Sequence, residues 1–167
     1  MADRSSMKIS IGGQVTSGTM LRLAELAVEH KLMHYGGWKV CDLDSVRDSM
    51  FTAIAAREPL EMHAVEKIGG HDEKLEKALI ELGLTFVSSG QSSYSYPAMV
   101  TYWKPGFDPA MEWTGDEDGT PYLSAGEIRF HVDRGTLERE LDHMLAAVDL
   151  AVPLELVEEA RAMKPVV

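Results

Sequence analysis

The chain has 167 residues, 45% of them hydrophobic and 26% charged, which fits one globular domain with its own core. Its formal charge of −11 argues against free-standing nucleic-acid binding, which leaves a basic footprint. A lone cysteine, Cys41, excludes an internal disulfide framework, and no apolar run approaches the roughly 20 residues of a membrane-spanning helix. The start, Met1 to Ser6, lacks the apolar centre of a secretory signal and is a candidate disordered segment. A cytoplasmic protein of one domain, residues 1–167, is the expectation.

Met7, Ile9 and Ile11 alternate with Lys8 and Ser10, the period of a half-buried strand, and Gly12-Gly13 is expected to end it. Thr16, Ser17 and Thr19 offer capping oxygens to a helix with Met20, Leu23, Ala24, Ala27 and Val28 on one face. After Gly36-Gly37 and a short segment from Trp38 to Cys41, Asp44 is a cap for a second helix that turns Val46, Met50, Ala53 and Ile54 inward. Leu60, Met62 and Ala64 alternate with Glu61, His63 and Val65 in the next strand. Asp72 caps a helix with Leu75, Ala78, Leu79 and Leu82 inside, and Gly83 suits its left-handed end.

Leu84 to Val87 reads as a strand, Ser88 to Ser95 as a loop, and Ala98 to Trp103 as the returning strand. Pro105-Gly106 turns the chain into an acidic loop closed by Asp118-Gly119. Tyr122 to Val132 alternates as a strand, with Ile128, Phe130 and Val132 opposite Glu127, Arg129 and His131. Two helices close the chain, one capped by Thr136 and one opened by Pro153. The predicted fold is α+β, a mostly antiparallel sheet with helices packed on it, in the order β-α-α-β-α-β-β-β-α-α.

No catalytic motif is complete. The loop from Gly12 to Thr19 lacks the lysine of a phosphate-binding loop and the spacing of a dinucleotide fold. Cys41 follows Val40 as a small buried hydrophobe would, and no G-x-S-x-G elbow exposes a serine. Glu140 and His143 form a single Glu-x-x-His pair, where a two-metal carboxylate site needs two. The helix ending Glu81-Leu82-Gly83 resembles that of the Nudix pyrophosphohydrolases, but Ile80 stands where that family's metal site needs a second glutamate.

The run from Leu60 to His131, in the order β-α-β-β-β, is similar to one module of the glyoxalase-like metal-binding fold. That resemblance implies ligands at His63 and Glu127, with His131 beside them, and a second module supplied by dimerisation. A metal-dependent enzyme or small-ligand binder is therefore one reading.

The other reading rests on Tyr94, Tyr96, Trp103, Phe107 and Trp113, which crowd beside Asp108, Glu112, Asp116, Glu117 and Asp118 with no basic residue from Phe107 to Gly119. Aromatic rings supply contact energy and carboxylates steer a basic surface. The expectation is an acidic regulator or inhibitor, without a cofactor, that engages a basic protein partner, with that partner's nucleic-acid-binding surface as one place it could occupy. A homodimer is a state the sequence allows.

Overall fold

The computed structural model describes residues 4–68, 70–92, 97–116, 119–149 and 152–157. In chain order it contains β1 (Arg4–Val15), α1 (Ser17–Glu29), β2 (Met33–His34), α2 (Leu43–Ala56), β3 (Leu60–Ile68), α3 (Glu73–Glu81) and β4 (Thr85–Gly90). These are followed by β5 (Ala98–Trp103), β6 (Met111–Gly115), β7 (Pro121–Tyr122), α4 (Ala125–Arg134), α5 (Leu137–Val148) and β8 (Leu154–Leu156). The fold is α+β. An open sheet runs β2-β3-β1-β4-β5-β6-β7 with antiparallel neighbours throughout, while β8 joins the end of β1 in parallel.

Successive strand residues point to opposite faces, so one sheet can serve two cores. On the first face Met7, Ile9 and Ile11 of β1, Leu60, Met62 and Ala64 of β3 and Phe86 of β4 meet α1, α2 and α3 through Leu23, Ala27, Met50, Leu75 and Leu79. On the second face α5 lays Met144 and Ala147 over Val100 and Tyr102 of β5 and Trp113 of β6. The second face is thus covered over β5 and β6.

Capping explains the helix boundaries. Thr16 accepts from the Thr19 amide at 3.2 Å, and Asp72 accepts from the Leu75 amide at 3.1 Å. For α2 the cap is Asp42, not Asp44. Its carboxylate accepts from the Ser45 amide at 2.8 Å while the Ser45 hydroxyl receives the Asp42 N–H at 3.1 Å. Gly83 adopts φ +71°, the left-handed conformation expected after α3.

Several expectations are corrected. Arg4 to Ser6 belong to β1, and the strand runs through Gly12-Gly13 to Val15. At Gly12 a Cβ would lie 2.0 Å from the carbonyl oxygen of Val152, so the missing side chain admits the segment that leads into β8. The serine run after Val87 extends β4 to Gly90, and the acidic loop holds β6. Pro153 opens a strand instead of a helix; its carbonyl accepts the Gly13 N–H at 2.9 Å, and Leu154 is buried against the core.

The largest correction concerns Tyr122 to Val132. Ser124 and Glu127 form a reciprocal capping box, at 3.3 Å from the Glu127 amide to the Ser124 hydroxyl and 2.7 Å from the Ser124 amide to the Glu127 carboxylate. The segment from Ala125 is therefore helical and ends at Gly135, φ +66°. On a helix the spacing of Ile128, Phe130 and Val132 sets Phe130 opposite the other two, and none of α4 is buried.

Candidate functional site

The aromatic cluster expected at the surface is mostly interior. Trp103 packs into the first core and Tyr102 and Trp113 into the second, the division that strand alternation requires of neighbours 102 and 103. Each indole is anchored: Trp103 Nε1 donates to the Phe107 carbonyl at 2.7 Å, and Trp113 Nε1 donates to the Glu140 carboxylate at 2.6 Å. Phe107 meets Tyr102 edge-on at 5.5 Å and tilts over His143 at 5.0 Å. Glu140 and His143, the Glu-x-x-His pair, are thus built into the α5–sheet contact. Asp108, Glu112 and Asp116 are exposed before, on and after β6, with Glu112 on the sheet face opposite Trp113. Tyr94, Tyr96, Glu117 and Asp118 lie outside the described residues.

Both α4 and α5 expose apolar side chains that the sequence alone does not assign. The stripe Glu140, Met144 and Ala147 faces the sheet, which leaves the neighbouring stripe of α5 outside. Leu141, Leu145 and Val148 occupy that outer stripe at 44%, 66% and 54% exposure. On α4, Ile128 and Val132 stand one turn apart and are also exposed. Phe130 points away from that pair, with the Arg134 guanidinium 4.1 Å from its ring centroid. A helix of ten residues does not hold itself together in water. Here the caps at Ser124 and Gly135 hold its ends, and a bond between His131 Nδ1 and the Thr136 hydroxyl at 2.9 Å ties its last turn to the link before α5.

A trough lies over the part of the second sheet face that α5 leaves uncovered. Its floor is Lys8 and Ser10 of β1, Glu61 and His63 of β3, and Val87 and Ser89 of β4. Lys8 Nζ stands 3.7 Å from the Glu61 carboxylate and 4.6 Å from the ring centroid of Tyr35. The hollow between Tyr35, His63, Gln91 and Gly119 measures about 480 Å³. Trp38, 91% exposed, projects from the loop beyond Tyr35. Of the expected ligands, His63 lies in this trough on β3, whereas Glu127 caps α4 and His131 sits on its last turn. Glu127 is held below the usual carboxylate range by the Ser124 hydroxyl and amide. Among the described residues no three His, Cys, Asp or Glu side chains are grouped to hold a metal. The last strand of the glyoxalase-like arrangement is thus replaced by a helix.

Two polar networks join α3 to the sheet. Asp72 accepts from Lys67 Nζ at 2.5 Å and bonds His30 Nδ1 at 2.8 Å, while Lys67 also donates to the His30 carbonyl at 2.9 Å. Burial alone would raise the Asp72 carboxyl, but these bonds and the Leu75 amide outweigh it and hold it low. Glu76, buried beneath α3, accepts from the Ser88 hydroxyl at 2.5 Å and lies 3.4 Å from His71 Nδ1. The Glu76 contact raises the His71 imidazole against the opposing effect of burial, and the charges of Glu76, Glu112 and Glu73 add to the rise. Thr101, cross-strand from both Ser88 and Glu112, is also buried there.

No family model, no curated protein and no solved structure matches this chain. No described helix is long and apolar enough to cross a membrane. The two helices themselves had a legible signal: the S-x-x-E box at Ser124–Glu127, with Ile128 and Val132 four apart, and Leu137, Leu141 and Leu145 at the same spacing. The trough had none, because its floor is assembled from β1, β3 and β4.

Proposed function

We propose that this chain is a protein-binding regulator or inhibitor that works through two surfaces, one apolar and one acidic. The observation that carries the reading is α4, a helix without a buried residue, followed in the chain by α5, whose Leu141, Leu145 and Val148 are also exposed. Exposed apolar side chains grouped in this way mark contact surfaces between proteins. The acidic surface is the rim of Asp108, Glu112 and Asp116, with Glu73 of α3 near Glu112 around His71. Here the anchored Trp103 and Trp113 act as support: they stiffen the β5–β6 region that presents the carboxylates. A basic partner would be steered to that rim by charge, and its association would slow as salt rises.

The test is capture from a lysate of the source organism on the immobilised chain, washed with a salt series. The expected result is a basic protein released as salt increases, and its loss with Asp108→Lys/Glu112→Lys/Asp116→Lys. Capture unchanged by that variant removes the rim from the reading.

A second reading is a small-ligand binder, supported by the trough on the open sheet face and its floor of Lys8, Ser10, Glu61, His63 and Ser89. A ligand seated there would raise the melting temperature in proportion to the logarithm of its concentration. His63→Ala and Lys8→Ala should abolish the rise, and a rise that survives both places the ligand elsewhere.

A further inference from the structure

We infer that the hollow between Tyr35, His63, Gln91 and Gly119 takes a small anion, whose carboxylate or phosphate group lies across Lys8, His63 and Ser89. The inference rests on the small-ligand reading of the trough and names the chemistry of its ligand.

Register brings the three groups together. β1 lies between β3 and β4, and Lys8 is the direct partner of His63 on one side and of Ser89 on the other. Direct partners share a face, with Cβ atoms about 4.5–5.5 Å apart. An ammonium, an imidazole and a hydroxyl therefore stand in one row, close enough to share one oxyanion group. The imidazole serves as a donor. His63 Nδ1 is buried without a hydrogen-bond partner. An unpaired buried N–H is rarer than an unpaired acceptor, so the neutral ring carries its proton on Nε2, the nitrogen left for the hollow that His63 lines.

Charge selects the class of ligand. The chain has 27 acidic against 16 basic side chains, yet among the described residues no carboxylate lines this hollow. Besides Lys8 and His63 the lining holds Ser6, Tyr35, Ser89 and Gln91, each able to donate. A cation would be repelled by the ammonium, and a neutral ligand would leave its charge unmatched. The Glu61 carboxylate lines the adjoining hollows and stands 3.7 Å from Lys8 Nζ, with both side chains 42% exposed. A pair so exposed contributes little, so an anion can take the ammonium from it. The volume, about 480 Å³, falls within the range of small-molecule sites. It leaves space for an organic body beside the charged group, against the exposed Tyr35 ring.

The test is nuclear magnetic resonance on the full chain, labelled with the heavy nitrogen isotope. Sodium phosphate and sodium benzoate are titrated in, each against sodium chloride at equal ionic strength, with choline chloride and glucose as cationic and neutral probes. The expected result is a saturable shift of the Lys8, His63 and Ser89 amides with phosphate, benzoate or both, at a Kd on the order of 1 mM. The anion that binds more tightly tells phosphate chemistry from carboxylate chemistry. Lys8→Met should weaken binding by about tenfold or more, the share of a charged hydrogen bond. Glu61→Gln should tighten it by about twofold, because it frees the ammonium. A merely structural Lys8 would give no such gain. The same spectra show whether each variant is folded.

Shifts reproduced by sodium chloride overturn the inference, as does binding that Lys8→Met leaves unchanged or Glu61→Gln weakens. Choline or glucose moving these amides while both anions leave them in place overturns the anion and upholds the small-ligand reading. Silence of all four probes up to about 50 mM also overturns the anion, and the melting experiment then decides the small-ligand reading by itself.

Discussion

Asp72 offers the sharpest test of how α3 is held to the sheet. Replacing it with alanine removes the cap on the Leu75 amide and the partner of both Lys67 and His30. Loss of a cap costs about 1 kcal/mol. Breaking one side of a fully buried ion pair costs about 3–5 kcal/mol. The side chains here retain 11% exposure at Asp72 and 18% at Lys67, and Lys67 keeps the His30 carbonyl. We therefore assign roughly 2 kcal/mol to the pair. The total is about 3 kcal/mol, which in a domain of this size lowers the melting temperature by roughly 6–12 °C.

Asp72→Asn keeps an oxygen for the Leu75 amide and should lose about 2 kcal/mol, the share of the ion pair. Urea denaturation of wild type and the two variants measures both values. The Asp72 carboxyl is held below its ordinary range in the folded state. Its ionic contribution is therefore present above the unfolded value, about 3.9, and is lost as pH falls through the lower folded value. The gap between wild type and Asp72→Asn should accordingly close in acid. A loss below about 0.5 kcal/mol for Asp72→Ala, or a gap that widens as the pH falls, refutes the reasoning.

His71 should show the opposite pH dependence. Its folded pKa is raised, first by Glu76, so its contribution is full below the unfolded value of about 6.5 and fades as pH rises through the folded value. The stability difference between wild type and His71→Gln should be larger at about pH 6 than at about pH 9, and an equal difference contradicts the assignment. Trp113→Phe should cost about 2 kcal/mol because it leaves the buried Glu140 carboxylate without its indole donor. Adding Glu140→Gln should recover part of that loss in chemical denaturation, and no recovery would mean that the cost is one of packing alone.

Local rules carried much of the fold. Alternation at Met7, Ile9 and Ile11, and again at Leu60, Met62 and Ala64, identified β1 and β3 because each strand has one face against helices. Asp72 and Gly83 bounded α3 because a carboxylate cap and a left-handed glycine act within a few residues of the chain. The failures came where two local signals competed. Over Tyr122 to Val132, apolar alternation favoured a strand and the Ser124–Glu127 box favoured a helix; the box prevails because it satisfies backbone donors directly. At Pro153 the fixed proline dihedral suits both a helix start and a strand start, and β1 offered an edge to pair with.

By itself the sequence determined the class of fold, an antiparallel sheet with helices on it, and the acidic character of the rim at Asp108, Glu112 and Asp116. These follow from periodicity, capping and charge, which are properties of neighbours along the chain. Tertiary structure alone decided that Trp103 and Trp113 lie inside, on opposite faces of one sheet, while Leu141 and Leu145 lie outside on a helix of similar apolarity. The physical reason is coverage. An apolar side chain leaves water only if another element packs over it, and α5 covers β5 and β6 with one stripe while turning the next to solvent.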